Sequence, residues 1–247
     1  MQLVTIAIIW QAIHLGMVAA SSSVSDKMDW AKKLQDANPL LGGVTGYLSV
    51  GTQGQDMFYW MFPPKDGNTS APIAFWLQGG PGSSSMYGLL FENGPNTLHN
   101  GTIYENPYAW NNNLTMIFVD NPVGTGFSHS SVDQMVQTGA DIQQFAEDFV
   151  LAFLNKYPQF KGRDMYLTGE SYGGHHIPYY ANRLFQLGKS NPDINLKGVA
   201  IGNGWVAASQ IYLSYPNYLL QEGMINQTQF DSMQPAASGC SFLMKYN

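Results

Sequence analysis

The chain has 247 residues, 45% of them hydrophobic and 13% aromatic, which is enough to bury a core and too apolar for a disordered or low-complexity polypeptide. Only 11% are charged, against ~25% in ordinary soluble domains. The net charge of −6, with 11 basic residues and no basic run, excludes a nucleic-acid footprint and a basic membrane-surface helix, and one cysteine excludes an intrachain disulfide and a cysteine-rich zinc site.

Residues 3–20, LVTIAIIWQAIHLGMVAA, are mostly apolar, but Gln11 and His14 interrupt them. The run is short for the about 20 apolar residues that span a bilayer. It reads as a signal peptide over residues 1–20, with Val18 and Ala20 in the small positions before cleavage and Ser21 opening the mature chain. No Lys or Arg precedes Lys27, which departs from the usual basic start; the alternative is a buried or anchoring helix. Residues 21–247 then form one domain. Sequons at Asn68, Asn100, Asn113 and Asn226 agree with export, and glycans would supply the solubility that the sparse charge does not.

Short aromatic and β-branched runs at Gly46–Val50 and Met57–Phe62 flank a turn at Gly51–Gln55 and predict a hairpin. Pro63–Ser70 is a loop. Ile73–Leu77 is a continuous apolar strand ending in GGPG, and Thr115–Val119 is a second, ending at Asp120-Asn121-Pro122. Ala140–Tyr157 has helical spacing, with Phe145, Phe149, Ala152 and Phe153 along one side. Met165–Thr168 predicts a strand, Ile177–Leu187 a helix, and Leu196–Ile201 a strand ending at Gly202-Asn203-Gly204. Apolar strands alternating with helices imply an α/β fold with a doubly wound, mostly parallel sheet. Ligands of such sheets bind beyond the carboxyl ends of the strands, where GGPGSSS, DNPVGTGFS, GESYGG and GNG all fall.

Gly169-Glu170-Ser171-Tyr172-Gly173 matches G-x-S-x-G between a predicted strand and a predicted helix, the context in which the central serine is a nucleophile. The following helix aims its first N–H groups at that turn, where an oxyanion can be stabilised. A second donor loop is needed, and Gly79-Gly80-Pro81-Gly82 is the evident supplier. The plainer alternative is an ordinary β–α turn. GGPGSSS lacks the spacing and the lysine of a phosphate-binding loop.

WLQGGPGSSSMYGLLFENGP, DNPVGTGFS and GESYGGHHIP, in this order and spacing, resemble the serine carboxypeptidase family of α/β-hydrolases from about Leu41 to the end of the chain. The resemblance implies Ser171 as the acylated nucleophile, with the amides of Gly80 and Tyr172 as the oxyanion hole. It implies recognition of the substrate's terminal carboxylate by Gln78, Gly79 and Glu170, and a proton shared between Glu170 and Glu92. Two carboxyls in one low-dielectric site cannot both ionise cheaply, so one pKa should rise, and the protonated member can donate to a carboxylate. Binding of peptide C-termini should then favour acidic pH. The alternative is that Glu92 and Glu170 are unrelated polar residues.

Gln78 stands where the family carries asparagine, and its amide reaches one methylene further. Ser83 stands where the family carries a cysteine, which removes half of a disulfide of a kind that typically contributes about 2–4 kcal/mol. In α/β-hydrolases an acid and then a histidine follow the serine. Here no histidine follows His176, and His175 and His176 lie too close to Ser171 to be that base, so they are expected to pack or to line the cleft. The chain therefore reads as the N-terminal portion of such an enzyme, ending before the last strands of its sheet. The lone Cys240 agrees, and a buried free thiol is the alternative. An open sheet edge with apolar patches should follow.

The leading function is that of a serine exopeptidase, inactive in this chain by itself for want of a base. The alternatives are a non-catalytic secreted glycoprotein that binds a partner through the cleft, and a carboxypeptidase-like acyltransferase. Peptide C-termini are the expected substrates, without nucleic acid, membrane, metal or organic cofactor. Secretion or vacuolar or lysosomal delivery is the expected destination.

Overall fold

The computed structural model describes residues 41–52, 54–130 and 135–246. The expected signal peptide at residues 1–20 lies outside them.

The hairpin forms from β1 (Val44–Val50) and β2 (Gln55–Phe62), paired antiparallel. Gln55, read from sequence as turn, opens β2, because it closes the register opposite Val50. β2 is a central strand, and its side chains alternate between two cores: Met57, Tyr59 and Met61 face one, Phe58, Trp60 and Phe62 the other.

β3 (Ile73–Leu77) has the expected bounds and is buried throughout. The sequence reading assigns no element between it and residue 110. The structure places a short helix there, α1 (Met86–Phe91), and a small antiparallel hairpin of β4 (Asn96–His99) and β5 (Thr102–Glu105). Elements this short do not complete a recognisable hydrophobic period. β6 (Thr115–Val119) again matches expectation.

α2 (Gly139–Lys156) starts from a capping box in which Thr138 N donates to Asp141 Oδ2 and Asp141 N to Thr138 Oγ1. Its buried stripe runs Ile142, Phe145, Ala146, Phe149, Val150, Phe153 and Leu154, with Ala152 only partly covered. Each large member contributes about 1.5–3 kcal/mol of burial. β7 (Asp164–Glu170) runs two residues beyond the predicted strand, α3 (Gly173–Gly188) starts four residues before the predicted helix, and β8 (Asn195–Gly202) extends the prediction by one residue at each end.

The main sheet has the order β1-β2-β6-β3-β7-β8, with β6, β3, β7 and β8 parallel and the hairpin antiparallel at one side. α2 and α3 cover one face, and α1 packs in the core on the other. Among the described residues β8 pairs only with β7, and its Val199 is 49% exposed. The carboxyl ends of β3, β6, β7 and β8 carry the four glycine-rich segments named above.

Residues 205–246 form a second compact unit in which α4 (Ala208–Gln221) and α5 (Gln227–Tyr246) pack on each other. Its Cys240 is free and exposed. Among the described residues no helix is long and apolar enough to cross a membrane, and no group of three metal-ligating side chains occurs.

Candidate active site

β7 ends at Glu170 and α3 begins at Gly173, so the chain must reverse within Ser171 and Tyr172. Ser171 does so at φ +53°, a conformation a non-glycine residue adopts only where its surroundings impose it. Its N–H donates to Gly202 O (3.0 Å) and its carbonyl accepts from Gly174 N (3.0 Å). The glycines of the motif answer to one atom, the last carbonyl of β3. A Cβ on Gly169 would lie 2.1 Å from Leu77 O, and one on Gly173 2.6 Å from it. The GGPG loop rests on the same turn, for a Cβ on Gly79 would meet Ser171 Cβ at 2.7 Å and Tyr172 N at 2.8 Å. Gly80 lies at φ +111°, and Ser83 N donates to Gly79 O (3.1 Å). Ser171 is exposed, and among the described residues its hydroxyl has no hydrogen-bond partner.

The fully buried Asp120 holds the loops around this turn. Its Oδ1 accepts from Ser84 Oγ (2.7 Å) and Ser85 N (2.8 Å), and its Oδ2 accepts from Phe127 N (2.8 Å). It thereby ties DNPVGTGFS to GGPGSSS. A Cβ on Gly126 would lie 2.2 Å from Asp120 Oδ2. From the sequence Asp120 reads only as a strand end. The available signal was a carboxylate at one strand end and a serine run at the neighbouring one.

On the α1 side the side chain of Gln78 is buried between two partners. Trp76 Nε1 donates to its Oε1 (2.8 Å), and its Nε2 donates to Glu170 Oε1 (2.6 Å). The indole can only donate, so the carboxamide has one orientation and presents its NH2 to the carboxylate. Glu92, just past the end of α1, is hydrogen-bonded to Glu170. Burial, then the Glu170 charge, then that hydrogen bond push the Glu92 carboxyl up to about 7, while a hydrogen bond with Gln78 acts the other way. Gln78, Glu92 and Glu170 are therefore one cluster, beside the turn that carries Ser171. Tyr87 and Phe91, one turn apart on α1, stand exposed with ring centroids 5.1 Å apart.

On the α3 side His176 is buried. Tyr180 OH donates to Asn121 Oδ1, which leaves Asn121 Nδ2 to donate to His176 Nδ1 (2.9 Å). Burial, and then the neighbouring His175, lower the His176 pKa to about 4; burial also lowers that of His175. Both rings line a cavity of about 410 Å3 together with Pro122, Val123, Thr138 and Tyr172. Asn68, Asn100, Asn113 and Asn226 are all exposed.

A family model described as serine carboxypeptidase matches residues 36–245. Serine carboxypeptidase 3 of Oryza sativa subsp. japonica is 38% identical over 212 residues, which are 83% of this chain and 42% of that protein. Vitellogenic carboxypeptidase of Aedes aegypti is 36% identical over 219 residues, 83% of this chain and 45% of that protein. Among solved structures, the Kex1 prohormone-processing carboxypeptidase of Saccharomyces cerevisiae superposes with a TM-score of 0.74 at 28% identity, over 84% of this chain and 49% of that one. The chain thus spans less than half the length of the relatives it matches.

Proposed function

The chain belongs to the serine carboxypeptidase family, and from that membership we propose that its site acts on the carboxyl termini of peptides, releasing the last residue through an acyl-enzyme on Ser171 at acidic pH. The observation that carries the reading is the Gln78–Glu92–Glu170 cluster beside the strained serine turn. A protonated Glu92 donates a hydrogen bond to a terminal carboxylate, and the Gln78 carboxamide and Gly79 amide border the same place. Above about pH 7 Glu92 ionises and repels that carboxylate, so affinity falls.

In the reaction Ser171 Oγ gives up its proton and attacks the last peptide carbonyl. The amides of Gly80 and Tyr172 donate to the oxyanion. A general base takes that proton and returns it to the leaving amine as the C–N bond breaks, and water, deprotonated by the same base, then hydrolyses the ester and restores the serine hydroxyl. The base for the first step is a residue that this chain's described part does not place at the hydroxyl. His176 is committed to Asn121, and both His175 and His176 sit on the helix that follows the serine. That observation favours a second reading for this chain by itself: recognition of peptide carboxylates without turnover, the oxyanion hole alone giving little catalysis. Export, the four glycans and delivery outside the cytosol belong to the same proposal, supported by the exposure of the four asparagines.

The test is binding and cleavage of an amino-blocked dipeptide against its carboxyl-terminal amide, below and above about pH 7. Preference for the free acid that fades as pH rises supports the reading. Equal binding of acid and amide overturns it. Labelling of Ser171 by a fluorophosphonate separates turnover from recognition alone.

A further inference from the structure

Glu92 is presented on a tight turn, Glu92-Asn93-Gly94, that leaves the end of α1. Glu92 N (3.2 Å) and Asn93 N (3.0 Å) both donate back to Gly88 O, and Gly94 lies so close to Leu89 that a Cβ there would meet its carbonyl oxygen at 2.0 Å. The turn's own polar side chain does not brace it. The Asn93 carboxamide is buried, and neither its oxygen nor its nitrogen has a hydrogen-bond partner among the described residues.

The bracing comes from outside, from the segment after β5. Asn106, itself only 5% exposed, sends its Nδ2 to two carbonyls of the turn, Gly94 O (2.9 Å) and Glu92 O (3.2 Å). Its Oδ1 accepts from Tyr108 N (2.9 Å), and its own N–H donates to Pro95 O (2.9 Å). The Nδ2 end of one side chain thus fastens the turn, and the Tyr108 donor on the other end sets the orientation of the amide group. Trp110 N adds a third contact, to Asn93 O (3.0 Å), and the Trp110 ring meets Trp76 edge-on at 5.5 Å. Trp76 is the residue that orients Gln78.

We propose that Asn106 is a positioning residue that sets where the Glu92 carboxyl meets Glu170, and through it the affinity for a peptide carboxylate. A carboxyl carried on an unbraced turn swings toward solvent, where contact with a second carboxyl is no longer enforced. The groups known to face Glu92 are Glu170 from the end of β7 and Gln78 from the end of β3. Neither is a hydrogen-bond partner of Asn106, and Asn106 is neutral, so its effect on Glu92 passes through the turn and not through charge. The functional half of the proposal rests on the reading above; the structural half does not.

The experiment compares the full chain with its Asn106→Asp and Asn112→Ala variants. Asn106→Asp keeps the shape and the acceptor for Tyr108 N and replaces the donor to the two turn carbonyls by a carboxylate oxygen, whose charge acting directly on Glu92 would raise its midpoint, the opposite of the movement expected from a freed turn. Asn112→Ala removes an exposed contact in the same segment, Nδ2 to Pro107 O (2.9 Å), that does not reach the turn. The readouts are the Glu92 carboxyl titration by 13C NMR and the Kd of an amino-blocked dipeptide below pH 7. The expected result is a Glu92 midpoint moved toward the ordinary glutamate value and a Kd raised about tenfold in Asn106→Asp, with Asn112→Ala unchanged. An unmoved Glu92 midpoint in Asn106→Asp, or the same movement in Asn112→Ala, overturns the proposal. Should Asn106→Asp fail to fold, Asn106→Ser, which retains a donor too short to span both carbonyls, is read by the same criteria. If the wild-type chain binds no peptide, the functional reading fails, while the Glu92 titration still decides the role of Asn106.

Discussion

On the α1 side of Ser171 a carboxyl, Glu92, sits against a second carboxyl; on the α3 side an imidazole, His176, sits against a carboxamide that a hydroxyl in turn holds. Burial acts on both and disfavours the charged form of each, so it drives their pKa values in opposite directions. Glu92 rises from 4.5 to about 7, and His176 falls from 6.5 to about 4. Between those limits the folded chain holds a proton on Glu92 that the unfolded chain has released. That contribution is complete below pH 4.5 and is lost as pH rises through about 7. For His176 the unfolded chain holds the extra proton. Its contribution is complete above pH 6.5 and is lost as pH falls through about 4. The α1 side keeps its group half-exposed and able to meet a ligand, whereas the α3 side seals its group among satisfied partners. One turn therefore separates a group whose titration gates binding in the proposed function from one whose titration bears on acid stability.

The largest effect should come from breaking both sides at once. Gly169→Ala puts a methyl 2.1 Å from Leu77 O, beneath the turn that both sides share. Thermal or denaturant unfolding should show a loss of about 3 kcal/mol, since neither strand can yield. An unchanged midpoint would mean that the turn is not held as tightly as the contact implies.

Asn121→Ala should break the α3 side alone. It strands the Tyr180 hydroxyl and His176 Nδ1 without partners, at about 2 kcal/mol in denaturant unfolding. The Glu92 titration should stay where it is. A shift there would show that the two sides are coupled.

Glu92→Gln should sharpen the comparison from the other side. The fall in stability between pH 4.5 and about 7 should disappear, while the acid-side loss to which His176 contributes remains. Calorimetric titration should find the affinity for a free peptide carboxylate reduced about tenfold, because a neutral donor remains but the proton shared with Glu170 does not.

Gln78→Asn is the smallest change. The shorter amide can reach Trp76 or Glu170 but not both. About 1 kcal/mol of stability should be lost, with an upward drift of the Glu92 midpoint as the Gln78 hydrogen bond that lowers it weakens. No change in either quantity would show that the α1 side tolerates the shorter amide by moving its backbone.

Much of this was legible in the amino-acid order. Ile73–Leu77 and Thr115–Val119 formed with the bounds their unbroken apolar character indicates. The phenylalanine stripe of α2 faced the core, and the glycine-rich segments all fell at carboxyl ends of parallel strands. The departures have local causes. α3 starts at Gly173 and not Ile177 because the serine turn needs helix directly beneath it, and Gly173-Gly174-His175-His176 carries no apolar period to announce that. α1 and the β4–β5 hairpin were too short to register as patterns. Asp120 looked like the end of a strand, and Asn106 carried no signal at all.

What the sequence by itself determined is whatever depends on neighbours along the chain: strand and helix periodicity, the glycines that a tight turn demands, and a serine between them. Tertiary structure decided which distant groups meet: Glu92 with Glu170, a pair the sequence offered only through its family resemblance, and, unread in the sequence, Asp120 with Ser84, Asn106 with the turn after α1, and His176 with Asn121. The reason is physical. Backbone conformation responds to side chains a few bonds away, whereas hydrogen bonds and pKa values respond to whatever lies within a few ångströms in space, and only the packed sheet brings those groups that close.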